Sequence, residues 1–140
     1  MQPQRIVITT LIATIASLTI GDIPLILNLP SRHLNLQVLA QTVNANKAEA
    51  ADELFQQGLD QFNHSQFEAA IKFWQQALTI YQEIKNRPRE RMTLGNLGAA
   101  YFYLSDYTKT IDYEEQSLAI AREINDRKGE ANAIGIIGNG

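Results

Sequence analysis

The sequence predicts an all-α fold, an α-solenoid of tandem antiparallel helix hairpins that follows an apolar N-terminal segment outside the domain. Three observations predict this fold. Residues 51–90 align onto residues 91–130 with twelve identities in forty positions and no gap, where average composition would give about two or three. Apolar residues recur in each unit at the spacing of an amphipathic helix. A short polar turn divides each unit into two such stripes.

Composition excludes several classes of site. The chain of 140 residues has no cysteine and only two histidines, His33 and His64, far apart in the sequence. Disulfides, thiolate nucleophiles and cysteine-ligated metals are therefore excluded. We predict no metal site, no cofactor and no catalytic constellation in this chain. The formal net charge of -3 argues against nucleic-acid binding, which needs a basic face.

The first forty residues are predicted to be a targeting segment. Arg5 precedes an uncharged apolar stretch, residues 6–20, which is the layout of a secretory signal peptide. Val38 and Ala40 satisfy the small-residue rule for cleavage before Gln41. A cleaved signal peptide is therefore the first hypothesis.

An uncleaved membrane anchor over residues 6–29 is the alternative, and it would bury Asp22 near one end of a span of about twenty residues. A soluble N-terminal segment is the third hypothesis. The predicted domains are residues 1–40 as signal peptide or anchor, 41–46 as a polar linker and 47–140 as repeats. We expect the protein to be exported (periplasmic or extracellular) or membrane-anchored.

The first repeat is predicted to contain helices over residues 47–63 and 67–86. Apolar residues run from Ala51 to Phe62 in the first helix and from Phe67 to Tyr81 in the second. Their spacing of three and four residues is that of one helix face. The polar sequence 63–66 forms the turn between them.

The second repeat follows the same plan, with helices over residues 89–104 and 107–125, and a third unit begins with a helix over 129–140. Ser105 or Asp106 can cap the helix that follows by accepting hydrogen bonds from its free amides. Pro88 suits the first turn of the preceding helix, where a missing N–H has little effect. The region therefore comprises two complete hairpins and the first helix of a third.

Gly58, Gly98 and Gly138 occupy the same position in the first helix of successive units. Glycine there costs about 1 kcal/mol of helix propensity relative to alanine, so we expect the second helix to approach closely at this point. The large residues expected across the hairpin are Phe67 and Ile71 in the first unit, and Tyr107 and Ile111 in the second.

The other apolar positions of the two helices are predicted to pack the repeats together. Glu114 stands where the first repeat has Trp74, so we expect looser packing in the second hairpin. The full set of predicted packing residues is Leu54, Gly58, Phe62, Phe67, Ala70, Ile71, Trp74, Ala77, Leu94, Leu97, Gly98, Tyr101, Tyr107, Ile111, Leu118 and Gly138.

These residues resemble the tetratricopeptide repeat, whose signature is Trp-x2-Leu-Gly-x2-Tyr followed by Ala-x3-Phe. The second unit contains Leu94-x2-Leu97-Gly98-x2-Tyr101 and the first contains Ala70-x3-Trp74. The forty-residue spacing looks like the long-helix variety found in kinesin light chains. Residues 48–140 carry the resemblance, with departures at Gln57, Gln61, Thr110 and Glu114.

The resemblance implies a protein-protein interaction scaffold that binds a peptide or protein segment along a concave face lined by the first helix of each repeat. It implies no enzyme activity. The residues that chaperone-binding members use to clamp a terminal carboxylate are not assembled here. Carried over by position, the candidates for ligand contact are Asn63, Met92, Asn96, Ala99, Tyr103, Asn132 and Asn139.

Two alternatives accompany this hypothesis. Resembling bacterial exported proteins place such repeats before a caspase-like peptidase domain, so the chain could be the N-terminal region of a larger enzyme whose catalytic domain lies beyond residue 140. The repeats could also be a spacer with an unused groove. The last helix contains Ile134, Ile136 and Ile137 with no following helix to cover them, so we expect fraying or self-association through that end.

Overall fold

The computed structural model describes residues 31–138, with side chains from Leu36 onward. The repeats lie within one compact unit, Leu36–Gly140. The membrane anchor predicted over residues 6–29, the first thirty residues of the predicted targeting segment 1–40, and the candidate residue Asn139 lie outside the described residues. Between residues 31 and 138, no helix is long and apolar enough to span a bilayer.

The described part of the chain consists of five α-helices and contains no strand. Successive helices from α2 to α5 pack side by side, and α3 also contacts α5. Helix α1 packs on α2 through Phe55 and Phe62, whose rings lie 6.4 and 5.5 Å from Trp74. The predicted all-α array of helix hairpins is therefore confirmed. The helices are α1 (Ser31–Asn63), α2 (Phe67–Glu83), α3 (Arg87–Tyr103), α4 (Tyr107–Glu123) and α5 (Arg127–Ile137).

Helix α1 begins at Ser31 instead of at residue 47, so residues 41–46 are helical where a linker was expected. No glycine or proline occurs from Ser31 to Gln57, and nothing in that stretch interrupts the backbone hydrogen bonds. Residues 36–47 are exposed, and the buried core begins only at Ala51. The early part of α1 therefore has no amphipathic pattern that would have revealed it as a helix.

Four turns join the helices, and all four have the same backbone geometry. Each contains one residue in the left-handed region, with φ near 60° at Ser65, Lys85, Ser105 and Asn125. The next amide donates to the carbonyl five residues earlier, as in Asn86 N to Tyr81 O at 2.8 Å, which is the Schellman arrangement. The left-handed residues stand twenty apart, so the backbone repeats at half of the sequence period.

Side-chain caps begin three of the helices. Asn86, Asp106 and Asp126 accept from the amide three residues later, at 3.3, 3.2 and 2.9 Å. Of the two caps considered for α4, Asp106 is therefore the cap, while Ser105 is the left-handed residue of the turn. Pro88 lies in the first turn of α3, which begins at Arg87.

The close approach of paired helices occurs at Gly58 and Gly98, but the opposing residues differ from those expected. A Cβ on Gly58 would lie 2.3 Å from Trp74 Nε1, and one on Gly98 would lie 2.8 Å from Glu114 Oε1. Each glycine faces the residue sixteen positions later, so the two hairpins have the same register. The expected opponents, such as Phe67 and Ile71, lie nearer the turn in the sequence than Trp74 does.

Most of the predicted packing residues are buried or half-buried between the helices. Two of them are exposed: Tyr107, whose ring meets Phe102 on the outside of the array at 5.7 Å, and Gly138. Ala51, Phe55 and Tyr81 are also buried in the core; they belong to the predicted apolar helix faces but were not in the predicted packing set. The buried members of the predicted set are Gly58, Ala70, Ile71, Trp74, Ala77, Leu94, Leu97 and Gly98, and the half-buried ones are Leu54, Phe62, Phe67, Tyr101, Ile111 and Leu118.

Candidate functional site

One face of α3 carries a stripe of accessible side chains. Met92, Asn96, Ala99 and Tyr103 follow one another at spacings of three and four residues, which places them on the same side of the helix. Met92 and Tyr103 are exposed, and the other two are half-buried. Helix α5 lies beside this stripe, and two adjoining depressions open between the helices.

The first depression, the polar cleft, has a volume of about 270 Å³ and lies among α3, α4 and α5. Charged and amide side chains contribute to its walls, together with two glycines. Its lining residues are Arg91, Met92, Gly95 and Asn96 of α3, Glu114 and Ser117 of α4, and Gly129, Asn132, Ala133 and Ile136 of α5.

The second depression, the aromatic pocket, has a volume of about 170 Å³ and is lined by Ala99, Phe102, Tyr103 and Ile136. Ile136 lines both depressions, so they adjoin. The Tyr103 ring stacks on Phe67 of the first repeat, with ring centroids 4.9 Å apart and an angle of 11° between the ring planes. The aromatic pocket therefore has one wall that is fixed by packing between repeats.

Comparison of the two repeats explains the polar cleft. In the first repeat, Phe55 and Trp74 fill the space between the helices, and Trp74 Nε1 donates to Phe55 O at 3.1 Å. Forty residues later these two positions are Gly95 and Glu114. A phenyl ring is thus replaced by a hydrogen atom and an indole by a smaller carboxylic acid, which opens the cleft.

Glu114 is the most unusual side chain of the site. The residue is 2% exposed, and among residues 36–138 its Oε1 has no hydrogen-bond partner. Burial raises the pKa of its carboxyl group to about 7, against a smaller lowering effect of the Arg91 charge. The group therefore changes protonation near neutral pH, which an exposed glutamate does not do.

Arg91 is already paired. Its Nε lies 2.9 Å from Asp126 Oδ2, an ion pair whose side chains are 19% and 29% exposed. Asp126 also caps α5 through the Gly129 amide. Ser117 Oγ, across the cleft, donates to the Arg91 carbonyl at 3.3 Å. These contacts hold one wall of the cleft in place and neutralise the arginine charge.

Five of the candidates for ligand contact line one of the two depressions. Met92, Asn96 and Asn132 line the polar cleft, and Ala99 and Tyr103 line the aromatic pocket. Asn63, at the end of α1, is exposed and lines neither depression. Their role in ligand contact stays a prediction.

Other lining residues were not among the candidates, chiefly Gly95, Glu114, Ser117 and Ile136. Their signal in the sequence is the set of positions at which the two repeats differ. At two of these positions, which face the cleft, a large aromatic residue of the first repeat is replaced by a much smaller residue: Phe55 by Gly95, and Trp74 by Glu114.

Comparison with known proteins identifies the repeat. A family model described as Tetratricopeptide repeat matches residues 62–123. This part of the chain belongs to the tetratricopeptide repeat family. No curated protein is similar enough to the chain to count as a match.

The match covers the last residues of α1 and helices α2–α4. Tetratricopeptide repeats generally mediate protein-protein interactions, and the family is typically a non-catalytic scaffold. Both depressions lie on or beside α3, the first helix of the second tetratricopeptide repeat.

Proposed function

We propose that the tetratricopeptide repeats bind an extended or helical segment of a partner protein along the face formed by α3 and α5. The observation that carries the proposal is the continuity of this face. A stripe on α3 runs from the polar cleft into the aromatic pocket, and Ile136 borders both.

The chemistry of the face suits a peptide. Amide side chains such as Asn96 and Asn132 both donate and accept hydrogen bonds, so they can pair with a peptide backbone in either sense. Exposed aromatic side chains supply contact area at a small cost in conformational entropy and often dominate binding energy. Tyr103 is 61% exposed although Phe67 stacks on it, so it presents a rigid aromatic surface.

Selection from a random-peptide display library against the full chain tests the proposal. Binders are then measured by fluorescence anisotropy against Asn96→Ala, Asn132→Ala and Tyr103→Ala. Asn44→Ala is the matched control, because Asn44 is an exposed asparagine on the early part of α1. We expect each of the three face variants to bind the selected peptides at least about tenfold more weakly than the parent, and the control variant to bind them with unchanged affinity.

Two results would remove the proposal. One is the absence of any selected peptide, which would favour a spacer role. The other is equal affinity of the face variants and the control variant, which would place binding elsewhere. Circular dichroism melting of each variant separates loss of contact from loss of fold.

We also propose that residues 1–40 direct export or anchor the chain in a membrane. The support is the sequence pattern of Arg5 followed by an uncharged apolar stretch. Sequencing the N-terminus of the protein recovered from its native cells tests this. Gln41 as the first residue supports a cleaved signal, and a retained Met1 in a membrane fraction supports the anchor.

The alternative of a larger exported enzyme concerns sequence beyond Gly140. Reading the gene past codon 140 tests it, because a peptidase domain with a catalytic cysteine and histidine must follow in frame. A stop codon at that point would remove the alternative.

A further inference from the structure

We propose that the polar cleft is a subsite for a basic side chain of the bound segment, with the Glu114 carboxylate as its acceptor. This inference rests on the proposed peptide-binding function, because it specifies one residue class within the peptide. It is carried by the placement of one buried and unpartnered carboxyl group in a cleft that the other repeat fills with aromatic rings.

The backbone of α3 helps to hold the carboxyl group in place. Gly98 lies so close that a Cβ there would be 2.8 Å from Glu114 Oε1 and 3.1 Å from its Cγ. The side chain is therefore packed between α3 and α4 at the wall of the cleft. Within the part of the chain that the structure describes, Oε1 accepts no hydrogen bond. Buried acceptors in folded proteins almost always have a donor, and Glu114 lines the cleft, so a ligand in the cleft can supply the donor that this carboxyl group lacks.

The charges around the cleft favour a cation. Arg91 faces Glu114 from α3, but its guanidinium is paired with Asp126 from the turn before α5. Helix α5 contributes the neutral Asn132 to the lining. With the arginine matched, the ionised Glu114 is the unbalanced charge, and an acidic ligand would be repelled by it.

The size of the cleft fits a side chain. Its volume of about 270 Å³ is at the lower edge of ligand pockets, which span roughly 300–1,000 Å³. A lysine ammonium has three donors. One can reach Glu114, while the amide oxygens of Asn96 and Asn132, which also line the cleft, can accept the others.

Binding of a cation in this cleft must be linked to proton release. Burial holds the pKa of the free Glu114 carboxyl group at about 7, and an adjacent positive charge lowers a carboxyl pKa. A basic side chain therefore prefers the ionised state. The affinity of the cleft for a basic side chain should rise by about tenfold between pH 6 and pH 8, because the ionised fraction of a carboxyl group with a pKa of about 7 rises by that factor.

NMR titration of the full chain tests the subsite directly. The probe is Nα-acetyl-lysine N-methylamide, and the matched probe is Nα-acetyl-norleucine N-methylamide, which lacks the ammonium. We expect the lysine probe to shift the side-chain amide signals of Asn96 and Asn132, and the norleucine probe to leave them unchanged. Glu114→Gln should lower the lysine-probe affinity by about tenfold or more and remove its dependence on pH.

Glu115→Gln is the control variant, because Glu115 is the exposed neighbour on α4 and its loss should leave the affinity unchanged. Melting followed by Trp74 emission checks that both variants fold. Equal shifts from both probes, or an unchanged affinity in Glu114→Gln, would overturn the subsite. Selected library peptides that bind the face without a basic residue would overturn the subsite alone. An empty library selection would count against the peptide-binding face, whereas the lysine probe would still report on the cleft.

Discussion

Replacing Gly58 by alanine should destabilise the first hairpin, although alanine is the better helix former. The gain in helix propensity is about 1 kcal/mol. The new Cβ, however, would lie 2.3, 2.5 and 2.8 Å from Nε1, Cδ1 and Cε2 of Trp74, so the buried indole would have to move by about 1 Å to reach ordinary contact distances of roughly 3.5–4.0 Å.

The cost of that movement has two parts. Overpacking a well-filled core costs about 1–3 kcal/mol. The indole would also lose or weaken its hydrogen bond to the Phe55 carbonyl, now 3.1 Å long, which is worth about 0.5–1.5 kcal/mol. After the propensity gain, the expected net loss for Gly58→Ala is about 2 kcal/mol, or roughly 10 °C in melting temperature for a domain of this size.

Urea and thermal unfolding followed by fluorescence measure this loss, because Trp74 is the only tryptophan and reports on the packing at issue. Gly135→Ala is the matched control, since a Cβ there meets no atom within 4 Å, and it should stabilise α5 by up to about 1 kcal/mol. A Gly58→Ala protein at least as stable as the parent would refute the close approach of α1 and α2 at this glycine.

Three further predictions concern stability. Burial raises the folded-state pKa of Glu114 from 4.5 to about 7, so the stability that its protonated form contributes is present in full below pH 4.5 and declines as the pH rises to about 7. Glu114→Gln should therefore match the parent in free energy of unfolding at pH 4 and exceed it by at most about 3 kcal/mol at pH 8. Denaturant titrations that give a constant difference between the two proteins across this range would contradict the raised pKa. Lys85→Gly should stabilise by about 0.5–1 kcal/mol, because relief of left-handed strain exceeds the added chain entropy of glycine; a lower melting temperature would argue against positive φ at this position. Amides of residues 129–137 should exchange with solvent faster than those of α3, because Ile134 is 48% exposed, and equal protection in a monomer would contradict fraying.

The fold was predictable because the forty-residue repetition and the amphipathic spacing both indicate the same packed helix hairpins. The turn at Ser65 and the turn at Ser105 have the same residue at the left-handed position, so the forty-residue period was visible in the sequence. The twenty-residue period of the backbone was not visible. At the intervening turns this position is Lys85 or Asn125, and backbone hydrogen bonds, which every residue type can make, define the shared geometry.

The early part of α1 could not be predicted from periodicity, for a physical reason. Periodicity appears in a sequence where one face of a helix is buried, and Leu36, Leu39 and Val43 are 67%, 60% and 52% exposed. Their helical state depends on local propensity and on the absence of a breaker. The polar and small residues 41–46 suit a helix as well as a linker.

The identical residues of the two repeats predicted the helical scaffold, and the positions at which the repeats differ mark the proposed binding cleft. A hairpin that is duplicated forty residues later provides its own internal reference, because Phe55 and Trp74 show how the interface is filled when it serves packing alone. Gly95 and Glu114 occupy the corresponding positions in the second hairpin. They bury less apolar surface than Phe55 and Trp74, and Glu114 Oε1 has no hydrogen-bond partner among the described residues. A neutral loss of packing would leave an apolar gap, which is destabilising and tends to be refilled. A buried acid beside a glycine is instead an arrangement whose cost is offset when a donor occupies the cleft, which is what the proposed subsite would receive from a basic side chain.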